Sequence, residues 1–264
     1  MSAGRGSVVF LHAHPDDEAI FTGGTMALLA RRGWRLVLVV ATHGEHGEVS
    51  DRVGPEVPLA VRRVAETAAA AELLGVQRVE FLGYHDSGMP GHPANEHERA
   101  FARSPVDEAA ERLEAILVEE EAEVLVTYDE QGVYGHPDHI QVHRVGMRAA
   151  RMTRLPTVYE STVDREYLHF VETHLVVEAS RSGPQPERVG LGLAGTRLGL
   201  STVEIDATVD VRPVLEVKRR AMAAHSSQIP ETSSAMQLPV SDFAAVYGYE
   251  WYARRGPAGP IDDL

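Results

Sequence analysis

No cysteine occurs among the 264 residues, so disulfide scaffolding, thiolate metal sites and a cysteine nucleophile are all excluded. Any metal must be held by nitrogen and oxygen. Long hydrophobic runs are also missing. None approaches the roughly 20 residues that cross a bilayer, and the apolar run Val8-Val9-Phe10-Leu11 is too short for the core of a secretory signal. A water-soluble, cytoplasmic protein is expected. Basic residues are outnumbered, 25 Lys and Arg against 39 Asp and Glu, for a formal net charge of −14. That charge repels a polyanionic backbone, so nucleic acid is not an expected partner, and a small molecule is.

Hydrophobic residues make up 44% of the chain, enough at this length to bury a large core without staples. The first 160 residues alternate between apolar extended runs and helical patterns, as a βαβ series does. Strands are expected at Val8–Ala13, Arg35–Thr42, Arg78–Leu82, Glu123–Thr127 and Thr157–Glu160. Helices are expected at Thr25–Arg32, Pro58–Leu74, Pro105–Glu121 and His136–Ala150, with Gly75 as a C-terminal glycine and Pro137 at a first helical position. In the second helix Val61, Val64, Ala68 and Ala71 mark the apolar face. Glu204–Val211 alternates like a strand with one wet face, and Pro213–Ala224 reads as a helix. Long loops are expected at Gly83–Ser104 and, glycine-rich and mobile, at Arg181–Gly199. With no repeat and no clear linker, one domain is expected. Its fold class is α/β, Rossmann-like and doubly wound with a mostly parallel sheet and helices on both faces. Residues 1–160 form the core, and 161–264 form a strand–helix extension that completes the substrate pocket.

Ten of the thirteen histidines fall between Val8 and Glu48 or between Gly83 and His143. Strand one runs into His14-Pro15-Asp16-Asp17-Glu18, and the fourth strand is followed by Tyr134-Gly135-His136-Pro137-Asp138-His139 at a helix start. In a doubly wound sheet such strand ends flank the ligand crevice at the order reversal. His14 and Asp17 can then aim a nitrogen and an oxygen at one point. Either His136 or His139, three apart on the helix, can complete a site with an open fourth position. Zinc is the first choice, although the same donors accept Fe2+ or Mn2+. An isolated Asp-Asp-Glu at a helix start reads as a dipole effect; beside two imidazole clusters it reads as chemistry. Thr22-Gly23-Gly24-Thr25 lacks the dinucleotide fingerprint and reads as close backbone packing. His12 reads as a core histidine behind the site, and His43, His46, His85, His143, His169 and His174 as structural or solvent-facing.

The runs Ala13-His14-Pro15-Asp16-Asp17-Glu18 and His136-Pro137-Asp138-His139 resemble the LmbE-like (PIG-L) deacetylases. The likeness continues through Gly44-Glu45-His46-Gly47-Glu48, Arg63-Val64-Ala65-Glu66, Asp86-Ser87-Gly88-Met89 and Ala224-His225-Ser226-Ser227-Gln228. Thr127-Tyr128-Asp129-Glu130 ahead of Tyr134 is most similar to the actinobacterial branch of mycothiol-pathway deacetylases and conjugate amidases. The resemblance implies His14, Asp17 and His139 as zinc ligands and Asp16 as general base. It implies that His136 stabilises the oxyanion or protonates the leaving amine, with Asp138 orienting it. Arg63 and Asp86 would hold sugar hydroxyls, Tyr134 would close over the acyl group, and His225 would join the substrate site. The loop Pro90–Arg103, with His92, His97 and Glu98, matches no part of that pattern.

The expected activity is hydrolytic deacetylation of an N-acetylglucosaminyl conjugate to the free amine and acetate. An amidase that releases an acyl-amino acid from glucosamine uses the same chemistry with a different cut. A metal- or nucleotide-binding module without turnover is the reading from another class, and the presence of both Asp16 and His136 counts against it. The aglycone and homo-oligomerisation are left open.

Overall fold

The computed structural model describes residues 5–47, 56–171 and 198–264. His174, Glu48 and nearly all of the Arg181–Gly199 stretch lie outside the described residues. Seven strands form one sheet: β1 (Ser7–His12), β2 (Arg35–Thr42), β3 (Arg78–Tyr84), β4 (Ala122–Tyr128), β5 (Thr157–Thr162), β6 (Ala207–Asp210) and β7 (Tyr249–Arg255). Their order is β3-β2-β1-β4-β5-β7-β6. The first five strands are parallel, with Val9 in register with Val37 on one side and Leu125 on the other. β7 runs antiparallel to both β5 and β6. The α/β expectation, doubly wound and mostly parallel with a C-terminal strand–helix extension, is met.

Every residue of β1 is buried, as is β2 beyond Arg35. Their unbroken Val/Leu runs are what a central strand covered on both faces requires. The principal helices are α1 (Gly23–Arg31), α2 (Leu59–Leu74), α3 (Val106–Glu119), α4 (Pro137–Thr153), α5 (Leu215–Ala224) and α6 (Val240–Tyr247). One face of the sheet packs Phe10 and Leu38 against Met26 of α1, Leu74 of α2 and Met222 of α5. The other packs Val9 and Val39 against Leu113 of α3 and Val145 of α4.

Two expectations are corrected. The α2 face predicted from Val61, Val64, Ala68 and Ala71 is buried only at Ala71: Val61 is 60% exposed, and the other buried positions include Arg63, Glu66, Thr67 and Ala70. Periodicity failed there because α2 turns charged side chains inward, toward partners distant in sequence. The strand expected from Glu204 begins only at Ala207, because Ser201 and Glu204 form a capping box around the 3-10 turn Thr202–Glu204. Within the shorter strand the alternation holds, with Ala207 and Val209 buried and Thr208 exposed.

Candidate metal centre and catalytic site

The order reversal lies between β1 and β4. The loops leaving the carboxyl ends of β1, β3 and β4 meet there and carry His14–Glu18, Asp86–Gly88 and Asp129–His139. Asp17 Oδ2 is the hub. It accepts from the His14 backbone N–H at 2.9 Å and lies 3.4 Å from His14 Nδ1 and 3.3 Å from His139 Nε2. Two ligands about 2.1 Å from a tetrahedral zinc are about 3.4 Å apart, so these spacings are those of groups sharing one metal. Asp17 is thus near both imidazoles expected as ligands. Among the described residues, the donors that all lie within 4.8 Å of one another are those of His14, His136 and His139, and those of His14, Asp86, His136 and Asp138; such nitrogen and oxygen donors fit a divalent cation.

Orientation of the rings separates the three histidines. His14 Nε2 lies 3.1 Å from Asp138 Oδ2, which leaves Nδ1 for the Asp17 side, an arrangement typical of a metal-ligating imidazole and its carboxylate partner. Asp138 is fixed in turn by Ser87, whose Oγ donates to Oδ1 at 2.5 Å and whose N–H donates to Oδ2 at 2.9 Å, and by the Ala102 N–H. The expectation that Asp138 orients His136 is corrected: its carboxylate orients His14. Its backbone N–H does reach His136, donating to Nδ1 at 3.1 Å, so His136 is the side-chain N-cap of α4. An accepting Nδ1 places the ring proton on Nε2, so in this geometry His136 presents a hydrogen-bond donor to the centre. Burial, with His14 and His139 nearby, pushes its pKa down to about 3. His139 is wholly buried and stacks on Tyr128 at 4.4 Å between centroids.

Burial would by itself lower the His14 pKa and raise that of Asp17. Instead Asp138, Asp17 and Asp86 hold His14 well above its usual range, while His139 and His14 hold Asp17 well below its own. Asp16 behaves in the opposite way. Burial and the adjacent Asp17 push its carboxyl up to about 6, against the pull of Arg63. Its backbone is strained, with φ 98° in a region that side chains rarely adopt. Glu18 Oε2 accepts from the Asp16 N–H at 3.0 Å, and Glu18 Oε1 is 2.6 Å from His225 Nε2. Arg63 donates to the carbonyls of Pro15 and Gly44 and lies 3.3 Å from Asp16 Oδ2. Glu66, one helix turn beyond Arg63, accepts from the Ser227 N–H and the hydroxyls of Ser226 and Ser227. His225 is 0% exposed, which corrects its expected place in the substrate site: it braces Glu18 from behind.

Tyr134 faces the centre, its hydroxyl 3.4 Å from His139 Nε2. It follows Val133, a β-branched residue at φ 63° and ψ −59°, a backbone outlier. Asp129 Oδ1 accepts from the Gln131 and Val133 N–H groups, and its Oδ2 accepts from Thr162 Oγ1, so this buried carboxylate holds the strained turn. Gly132 precedes it at φ 64°, where a Cβ would strike the backbone of His139 and Ile140. Asp86 caps its own turn, accepting from Gly88 N–H at 2.8 Å and His46 N–H at 3.1 Å, while Oδ1 also lies 3.5 Å from His14 Nε2.

His12 sits behind the site as expected, between the Tyr128 hydroxyl and Thr22 Oγ1, and burial pushes its pKa down to about 4. The close-packing reading of Thr22–Thr25 also holds: a Cβ at Gly24 would overlap Val211, and the Gly24 and Thr25 N–H groups donate to Glu250. The supporting roles of Ser87, Ala102, Glu66, Ser227 and Asp129 were not read from the sequence. All but Ala102 sit in the short motifs quoted above, which was their only signal.

Fold and site define a class: Rossmann-like α/β proteins with a His/Asp cluster suited to a metal at the sheet's switch point. The particular family follows from comparison. The family described as PIG-L: GlcNAc-PI de-N-acetylase matches residues 9–150. The 1D-myo-inositol 2-acetamido-2-deoxy-alpha-D-glucopyranoside deacetylase of Acidothermus cellulolyticus is 38% identical over 97% of this chain and 91% of its own. The chain belongs to the PIG-L family. Among solved structures, N,N'-diacetylchitobiose deacetylase from Pyrococcus horikoshii superposes with TM-score 0.61 at 22% identity, over 98% of this chain and 88% of that one. The 4-carboxy-2-hydroxymuconate hydratase GalB of Pseudomonas putida KT2440 does so with TM-score 0.61 at 19% identity, over 97% and 98%. One fold thus carries a deacetylase and a hydratase, and the reaction must be argued from the site.

Proposed function

We propose that the protein is a zinc-dependent deacetylase of an N-acetylglucosaminyl conjugate, yielding acetate and the free amine. The observation that carries this reading is the single carboxylate oxygen of Asp17 at metal-sharing distance from two imidazoles, with a second carboxylate, Asp16, beside it. Relatives named as deacetylases of an acetamido sugar on inositol support that substrate class. His14, Asp17 and His139 are the ligands in this reading. Zinc held there would bring the pKa of water down to about 7 and polarise the amide carbonyl. Asp16, next to that position with its pKa held up to about 6, takes the proton of the attacking water and passes it to the nitrogen of the departing amine. His136 donates Nε2–H to the developing oxyanion, a role supported by the tautomer that its capping bond selects. Tyr134 covers the acyl side. Arg63 and Asp138 act through others, Arg63 on Asp16 and Asp138 on His14. Asp86 borders the sugar while it anchors His46. The whole chain functions as one domain in this reading, supported by the continuous sheet and by residues beyond 160 that line the same cavity. No helix among the described residues is long and apolar enough to cross a membrane.

The test combines metal analysis of the purified protein with amine and acetate release from a panel of N-acetylglucosaminides that includes an inositol glycoside. Stoichiometric zinc with equimolar acetate and amine is expected. Fully zinc-loaded protein that releases neither from any panel member would overturn the reading.

A further inference from the structure

The Asp16 carboxylate lies 3.3 Å from the Arg63 guanidinium, and its backbone sits at φ 98°, a conformation that persists only where neighbours enforce it. Two buried glutamates stand behind these contacts. Glu18 accepts from the Asp16 N–H at 3.0 Å, and Glu66 lies one helix turn beyond Arg63 on α2. Both are gripped by one short segment just past the end of α5. His225 Nε2 is 2.6 Å from Glu18 Oε1, while Ser227 donates to Glu66 through its N–H at 2.9 Å and its hydroxyl at 2.6 Å. The segment is itself fixed, because the Gln228 and Ile229 N–H groups donate to the His225 carbonyl at 3.0 and 2.7 Å. Glu18, Glu66, His225 and Ser227 are all buried, where low dielectric strengthens each bond and water offers no substitute for a lost one. Neither His225 nor Ser227 lines the cavity bordered by Asp16 and Asp17, so contact with a substrate there does not account for them.

We propose that His225 and Ser227 are positioning residues for Asp16, forming one clamp that acts through Glu18 on its backbone and through Glu66 on Arg63. The clamp fixes where the carboxylate starts and where it points. This inference rests on the deacetylase reading for what Asp16 does, but the hold on the turn stands apart from turnover. A base misplaced by about 1 Å can cost on the order of 10²-fold in rate, so loosening the clamp lowers kcat and leaves sugar binding in place.

The test is a double-mutant cycle on zinc-loaded protein, read by amine release from the N-acetylglucosaminide panel. His225→Ala is expected to lower kcat at least about tenfold, with KM changed by less than about twofold. His225→Gln, whose amide can reach Glu18 from the place of Nε2, is expected to recover at least about threefold of that loss. In Asp16→Asn protein, His225→Ala should cost less than about twofold more, since a residue that acts through Asp16 has nothing left to position. Ser227→Ala carries the same cycle should His225→Ala fail to fold. Amide hydrogen exchange is measured in parallel: His225→Ala should speed exchange in His14–Glu18 at least about tenfold, with α3 and α4 unchanged. If wild-type protein releases no amine, the deacetylase reading fails, and exchange alone decides the clamp. A loss of equal size in both backgrounds, an unchanged kcat, or unaltered exchange at His14–Glu18 overturns the proposal.

Discussion

Two groups of histidines are joined through Asp86, and they differ in what surrounds them. His14, His136 and His139 are buried to 8%, 6% and 0% exposure, and carboxylates or a helix N-terminus fix which nitrogen of His14 and His136 faces the centre. The second group is a row of rings in contact, His92–His46 at 4.8 Å, His46–His85 at 5.1 Å and His85–His97 at 4.2 Å. His46, His92 and His97 are exposed. Among the described residues this row offers no three donor atoms close enough to share a cation. Proximity of imidazoles is thus not sufficient for a metal centre. Buried carboxylates that set the tautomer, and strand ends that converge, make the difference.

The contrast can be broken or sharpened by substitution. Asp16→Asn should keep its metal yet lower kcat by about 10²- to 10⁴-fold, measured by amine release alongside metal analysis. Because the base must be ionised and its pKa is held up to about 6, wild-type kcat/KM should fall as pH drops through about 6, and this acid limb should vanish in the variant. His136→Ala should lower kcat by about 10²- to 10³-fold through loss of the oxyanion donor. It should also lower stability by about 1 kcal/mol through loss of the α4 cap, read by denaturant titration. Asp138→Asn should weaken metal affinity by about 10- to 100-fold, measured by chelator competition, with activity restored at high zinc. His92→Ala and His97→Ala, in the exposed row, should each change kcat/KM by less than about twofold, as surface substitutions do. A large loss from either would erase the distinction between the two groups.

Much of this was legible in advance where chemistry is local. The Val/Leu runs of β1 and β2, the Pro137 helix start, and the His14–Asp17 and His136–His139 spacings each carry their meaning within a few residues. What stayed hidden depends on partners far along the chain. Arg63 and Glu66 look like a surface pair until the Pro15 carbonyl, Asp16 and Ser227 are beside them. Asp138 sits two residues from His136, but its carboxylate crosses to His14, 124 positions away. His225 reads as a site histidine, but it is held against Glu18 across 207 positions. Hydrophobic periodicity is blind to such pairings, because a buried charged residue mimics a solvent-facing one until its partner is known.

Glu250 of β7 receives the first N–H groups of α1 at 2.8 Å and pairs with Lys218 of α5, while His225 braces the Asp16 turn. The parts that steady this early segment therefore lie far later in the chain. The first five strands alone would carry His14, Asp17 and His139 without these braces, so the fold ties the placement of the Asp16 turn to docking of the last two strands.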